Sequence, residues 1–158
     1  MNSDFSDLLK IFAQEKVEYL IVGGYAVAKH AEPRYTKDLD IWINNSPQNA
    51  ERVFKALKEF GAPLNNITSE DFTNPTLVFQ IGIEPSRIDI IMGMKEMSFT
   101  ECWSRKATVR IANVDAYFIS LRDLIVNKRN AGRPQDLIDA NNLELRLRDS
   151  NIGKKELP

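Results

Sequence analysis

The chain has one cysteine, one histidine and almost no net charge among its 158 residues. With Cys102 alone there is no internal disulfide framework, and a lone thiol fits a reducing compartment. A net charge of -1 gives no overall basic field to draw the molecule to nucleic acid or acidic lipid, although a local basic patch stays open. No apolar run approaches the roughly 18 residues that a membrane span needs. Met1 to Lys10 carries aspartates where a secretory signal would carry a basic region, so a cytoplasmic location is expected. Repeats, low-complexity tracts and long linkers are also missing. What is present is an ordinary globular composition, 43% hydrophobic and 27% charged, long enough for one domain with a real core, or one domain with a helical appendage.

Periodicity predicts the elements. Ser3 can cap a first helix whose stripe is Phe5, Leu8, Leu9 and Phe12. Glu18 to Val22 reads as a short buried strand ending at Gly23-Gly24, and Tyr25 to His30 as a short helix stopped by Pro33. Leu39, Ile41 and Ile43 alternate with Asp38, Asp40 and Trp42, which is strand spacing. Ser46-Pro47 opens a helix striped by Ala50, Val53, Phe54 and Leu57, with Gly61 at its end. A polar loop follows, then "TLVFQIG" and "SRIDIIMG" as a possible hairpin across "IEPS". A short helix is expected near Ser98 to Arg105, and two strands, "ATVRI" and "AYFIS", across Asn113. Ser120 with Asp123 reads as a capping box for a helix running to Gly132. Pro134 opens the last helix, and a frayed tail is expected from Ser150. The resulting expectation is an α+β fold, a mixed β-sheet with flanking helices over residues 1–119, a C-terminal helical pair over 120–149 and a tail over 150–158.

Three aspartates carry the chemistry. Asp38 and Asp40 sit two apart on a strand, so they share a face, roughly 6 to 7 Å apart. Carboxylates so close repel each other unless a cation sits between them, and hard oxygen ligands suit Mg²⁺. By base composition alone, a solvated strand face explains such a pair. Asp89 is harder to dismiss: it lies mid-strand among Ile88, Ile90 and Ile91, where aspartate is rare without a partner. Arg87, also two residues away, offers a surface pair instead. If the two strands are neighbours, three carboxylates meet and can clamp an in-line displacement between divalent ions. Just upstream, Gly23 and Gly24 between strand and helix allow backbone N–H groups to approach an anion. The spacing is neither a dinucleotide-binding fingerprint nor a Walker loop.

Taken together, "GGYAVAKHAEPRYTKDLDIWI" and the later strand aspartate resemble the signature of the DNA polymerase β-like nucleotidyltransferase superfamily. "LRDLIVNKRNAGRPQDLIDANNL" is similar to the helical half of its small bacterial members, including the AbiEii-type toxin nucleotidyltransferases. The resemblance spans about Val17 to Leu143. It implies Mg²⁺ (or Mn²⁺), an NTP donor, and transfer of a nucleoside monophosphate to an acceptor hydroxyl with release of pyrophosphate. It also implies metal binding by Asp38, Asp40 and Asp89, with Asp89 assisting deprotonation of the acceptor. Gly23 and Gly24 would hold the triphosphate, and Lys128 and Asp136 match the family's helical lysine and aspartate.

Supporting candidates are Arg34, Thr36 and Lys37, flanking the gap before Asp38, and Lys128, near the stripe of Leu121, Leu124 and Ile125. Each also has an ordinary reading: a solvated basic loop, a strand-entry residue, a snorkelling lysine. Asp136 could orient Lys128 or Arg133, or serve the helix dipole. His30 has no visible partner in the sequence and reads as a helix-end residue. Cys102 beside Trp103, and Met92, Met94 and Met97, read as packing. The acceptor stays open between a small hydroxyl compound, a tRNA end and a protein side chain, and an antitoxin or other partner protein is possible. The competing reading is a non-catalytic nucleotide- or protein-binding module of the same fold.

Overall fold

The computed structural model describes residues 1–31, 36 and 38–156, with residues 152–156 as backbone only. Its core is a mixed six-stranded sheet in the order β3-β4-β2-β1-β6-β5. The strands are β1 (Tyr19–Val22), β2 (Leu39–Ile43), β3 (Val78–Ile81), β4 (Ile88–Ile91), β5 (Ala107–Ile111) and β6 (Val114–Phe118). Two central pairings are parallel, β2 with β4 and β1 with β6; the other three are antiparallel, including the β3–β4 and β5–β6 hairpins expected from the sequence.

One face of the sheet is wholly apolar. Leu39, Ile41 and Ile43 of β2 are fully buried, as are Ile21 of β1 and Ile90 of β4. Helix α1 (Ser3–Gln14) lies on this side, its Phe12 ring 5.4 Å from Tyr19, and packs on α3 (Pro47–Phe60). Period-two alternation then sends Asp38, Asp40 and Trp42 to the opposite face. That face carries the short α4 (Phe99–Ser104) and the pair α5 (Leu121–Ala131) and α6 (Pro134–Glu156), while α2 (Gly23–His30) touches both sides, packing on α5 and α6 and setting its Tyr25 ring 5.8 Å from Phe5 of α1.

Local chemistry moves several predicted boundaries. The first helix is capped by Asn2, whose side chain accepts from Asp4 N–H, and Ser3 is its first residue. Helix α2 begins at the glycines themselves. Ser46, Ser98 and Ser120 cap α3, α4 and α5 as their positions suggested, and Gly61 and Gly132 close α3 and α5 in the left-handed conformation. The polar loop holds a 3-10 turn at Ser69–Thr73. Helical backbone continues past Ser150 through Glu156. Among the described residues no helix is long and apolar enough to cross a membrane.

Two polar contacts hold the frame. Buried Asn49 clasps one end of the β1–β2 pair, where β1 begins and β2 stops: its Oδ1 accepts from Glu18 N–H at 2.8 Å, and its Nδ2 donates to Glu18 O at 3.0 Å and Asn44 O at 2.7 Å. His30 does have a partner, at a distance no sequence pattern could show: its Nε2–H donates to Ile119 O at 2.7 Å, tying the end of α2 to the exit of β6. Burial lowers the His30 pKa below 6.5, with the Lys29 charge adding to the effect and the Ile119 bond opposing it. The unfolded chain therefore takes up the proton first as pH falls. The stability His30 contributes is present above 6.5 and is lost as pH drops through the lowered folded value. Thermal melts should show the drop in Tm between pH 7 and 5 to be smaller in His30→Gln than in the wild type, by on the order of a few degrees. Identical pH profiles would refute the assignment.

At the sheet borders, β3 exposes Val78, and its flanks expose Leu77 and Ile83, the last to 81%.

Candidate active site

Sequence places Asp40 and Asp89 at equivalent points of two strands, and the parallel β2–β4 register sets them directly side by side. Both carboxylates face the same side of the sheet, close enough to share a hydrogen bond when one is protonated. Burial, the Asp89 charge and the Asp38 charge together push the Asp40 carboxyl up to about 7, against the pull of Arg87. Asp38 stands immediately before β2, where Leu39 N–H donates to Arg87 O.

Arg87 is the cation the carboxylates find within their own chain. One guanidinium nitrogen, Nη2, lies 2.9 Å from Asp38 Oδ2 and 3.1 Å from Asp89 Oδ2. Arg87 does pair with Asp89, but not as a surface pair on an edge strand: Asp89 is buried and β4 lies between β3 and β2, and the pair shares its face with Asp38 and Asp40. Among the described residues no three acidic, histidine or cysteine side chains form a ready-made metal cage. Yet the demand for a further cation is visible. Asp38 Oδ1 and Asp89 Oδ1 are buried, and among the described residues no donor reaches either one. Buried carboxylate oxygens without donors are costly. A hard divalent cation, which takes oxygen ligands, satisfies such a set, so the residues fit the metal the fold implies.

The glycine pair explains itself at Gly23. Its φ is +65°, and a Cβ placed there would lie 2.1 Å from Asp40 Oδ2. Only glycine permits that turn and that approach together. Val22, which precedes α2, offers no side-chain cap, so the first N–H groups of the helix have no side chain of that residue to bind.

Gly23, Gly24 and Asp40 form one wall of a cleft of about 350 Å³. The facing wall is the α5–α6 junction. Lys128 is buried there, its Nζ 3.2 Å from Asp139 Oδ2 and 3.5 Å from Asp136 Oδ1. It is a core cation held between two acids rather than a snorkelling surface lysine. Asp136 serves both partners weighed for it: Arg133 Nε donates to its Oδ2 at 2.7 Å, and Arg133 N–H at 3.2 Å. Burial works to raise the Asp136 pKa, but Arg133 and Lys128 hold it below the ordinary value.

Thr36 sits apart from the cleft, with its Oγ1 3.4 Å from Asp38 O. Arg34 and Lys37 lie outside the described residues. Cys102 is buried as expected. Sequence reasoning missed Asp139 and Arg133 as cleft residues. The signal was there, since Asp136 and Asp139 are three apart in the first turns of a helix and share a face.

The comparisons with known proteins give the family and the fold. Residues 3–150 match the family model described as "Nucleotidyltransferase of unknown function (DUF6036)". The chain belongs to that family. No curated protein matches it in sequence. Among solved structures, the lincosamide antibiotic adenylyltransferase LnuA, bound to lincomycin, aligns with a TM-score of 0.58 at 16% identity, covering 91% of this chain and 96% of LnuA. The antibiotic-resistance factor ANT(2'')-Ia aligns with a TM-score of 0.58 at 11% identity, covering 97% of this chain and 94% of its own. At such identities the likeness is one of fold. The nucleotidyltransferase fold and the membership foreseen from the Gly-Gly and Asp-x-Asp elements both hold for this family member.

Proposed function

We propose that this nucleotidyltransferase moves a nucleoside monophosphate from an NTP to an acceptor hydroxyl, releasing pyrophosphate, with a divalent cation, Mg²⁺ or Mn²⁺, held by Asp38, Asp40 and Asp89. The observation that carries the reading is the register of Asp40 with Asp89 beside Gly23. It sets a surplus of negative charge against the N–H groups that open a helix.

In this reading Gly23 and Gly24 receive the triphosphate by backbone N–H, and Lys128 and Arg133 neutralise its tail from across the cleft. Asp38, Asp40 and Asp89 would hold the cation, which would supply charge neutralisation at the reacting phosphorus. Asp89 takes the proton of the acceptor hydroxyl, and burial beside Asp40 keeps that carboxyl out of bulk water. Asp136 and Asp139 fix Lys128 in place. The rest is positioning, the greater part of phosphoryl-transfer catalysis.

Charge makes the cation a requirement for binding as well as chemistry. The cleft wall holds Asp40, Asp136 and Asp139 against Lys128 and Arg133. A bare triphosphate meets an almost balanced wall and gains little. A cation–triphosphate complex also satisfies the orphaned oxygens. Incubation with labelled NTPs, Mg²⁺ or Mn²⁺, and pools of small hydroxyl compounds, tRNA and protein should therefore release pyrophosphate and label an acceptor. Chelation of the cation should stop both and weaken NTP binding at least about tenfold, a difference of ~1.4 kcal/mol.

One observation favours the second reading, a binding module without catalysis: the Arg87 guanidinium bridges Asp38 and Asp89. Tight NTP binding with no pyrophosphate under any cation or acceptor would establish that alternative.

A further inference from the structure

A second cleft lies on the same face of the sheet, past the carboxylates. Along β2, side chains at alternate positions share a face, so Asp40 is followed by Trp42 at roughly 6 to 7 Å and then by the position of Asn44. Asp40 borders the phosphate cleft, whereas Trp42 and Asn44 border this second one, about 400 Å³ in volume. The phosphate contacts proposed for the donor do not use it.

Its position is the one an in-line displacement asks for. The leaving pyrophosphate lies with Gly23, Gly24 and Lys128 on one side of the carboxylates. The attacking oxygen must approach the phosphorus from the opposite side. Moving along β2 from Asp40, away from the glycines, leads into the second cleft.

The walls say what it takes. Half-buried Met94, Met97 and Phe99 give an apolar wall laid over buried Trp42 and Met92, with the Phe99 ring edge-on to Trp42 at 5.2 Å. The amides at the rim are committed within the protein: Asn45 Nδ2 donates to Met92 O at 2.9 Å, Asn44 Nδ2 donates to Glu18 Oε1 and Asn44 Oδ1 accepts from Ser46 N–H. Lys95, exposed, is the one charged residue among the described residues that line it. A site with no carboxylate gives a polycationic compound nothing to offset its desolvation. A cleft of this volume encloses a small molecule rather than a folded macromolecule.

We infer that the cleft walled by Trp42, Met92, Met94 and Phe99 is the acceptor site, and that it takes a small, neutral or anionic hydroxyl compound with an apolar body. The inference rests on the transferase reading above. The transfer it assigns is balanced within that reaction: the acceptor oxygen bonds to the α-phosphorus as the bond to pyrophosphate breaks, and the hydroxyl proton passes to Asp89.

Thr100 lines the cleft from α4 and is exposed, so Thr100→Trp fills the space with little cost to the core. The test uses labelled Mg-ATP with the low-molecular-weight filtrate, the RNA fraction and the protein fraction of a cell extract. Mg-ATP binding is measured separately by calorimetry, and the fold by circular dichroism. Ion exchange splits the filtrate into cationic, neutral and anionic pools before the reaction, and the wild type should label a compound supplied in the neutral or anionic pool. Thr100→Trp should lower that labelling at least about tenfold with its Mg-ATP affinity unchanged; Thr100→Phe, a second filler, should do the same. Label confined to RNA or protein, label arising only from the cationic pool, undiminished labelling by the variants, or ATP turnover with no labelled filtrate compound would each overturn the inference. Absence of Mg-ATP binding in the wild type would instead sink the underlying reading.

Discussion

Asp40→Asn is expected to abolish transfer and, in the same molecule, to raise the temperature of unfolding. The amide keeps the shape of the side chain and removes its charge. A divalent ion contributes several kcal/mol of charge stabilisation in such chemistry, so loss of a ligand should lower turnover by about a thousandfold or more. Stability moves the other way because the native fold buries Asp40 and holds it against Asp89 and Asp38. Its folded pKa, about 7, lies above the ordinary 3.8. A raised value means that the stabilising contribution is complete below 3.8 and is lost as pH rises through 7. In cation-free buffer the wild type thus carries the whole repulsion at pH 8 and little of it at pH 4. The gain in Tm of Asp40→Asn should be largest at pH 8, about 2 to 4 °C for each kcal/mol relieved, and should shrink towards pH 4. Unchanged turnover, or a variant that melts below the wild type at pH 8, would remove Asp40 from the role given to it.

Gly23→Ala should also damage activity, by a smaller factor and without any change of charge. A left-handed backbone costs a residue with a Cβ roughly 1 to 2 kcal/mol. Here the added methyl would also stand 2.1 Å from Asp40 Oδ2 and 2.9 Å from its Cγ, so either the turn or the carboxylate must shift. Displacement of about 1 Å in such a site can cost a hundredfold. Gly61→Ala is the control. It has a φ of +91° at the end of α3, and a methyl added there would meet nothing within 4 Å, so it bears only the backbone strain. Both variants should lose stability by urea denaturation, Gly23→Ala the more, and only Gly23→Ala should lose at least about a hundredfold in pyrophosphate release. Equal activity in the two would separate the glycine turn from the site.

Much of this arrangement is legible in the order of residues alone. Strand alternation gives the shared face of Asp38 and Asp40, and Asp89 declares itself by standing among isoleucines. Pairing is the hidden part. Residues 40 and 89 are separated by α3 and the first strand of the β3–β4 hairpin, and no local pattern states that β2 and β4 run parallel in register. The same limit conceals His30, whose partner Ile119 is 89 positions away, and the burial of Lys128, which depends on how tightly α5 meets α6. The start of α1 turns on a choice between adjacent capping residues, Asn2 and Ser3, which are near-equal in preference. Arg87 is visible as a partner of Asp89, but its bridge to Asp38 follows only from the strand register.

The outer border of the sheet has a consequence for handling the protein. Strand β3 ends the hydrogen-bonded ladder with the sequence Val-Phe-Gln-Ile, which contains no lysine, proline or acid to repel a newcomer. At the other border, β5 presents Arg110, paired to Asp115. Unwanted strand-to-strand growth in concentrated samples therefore has a preferred starting point at β3, and a single lysine in place of Val78 is the natural remedy.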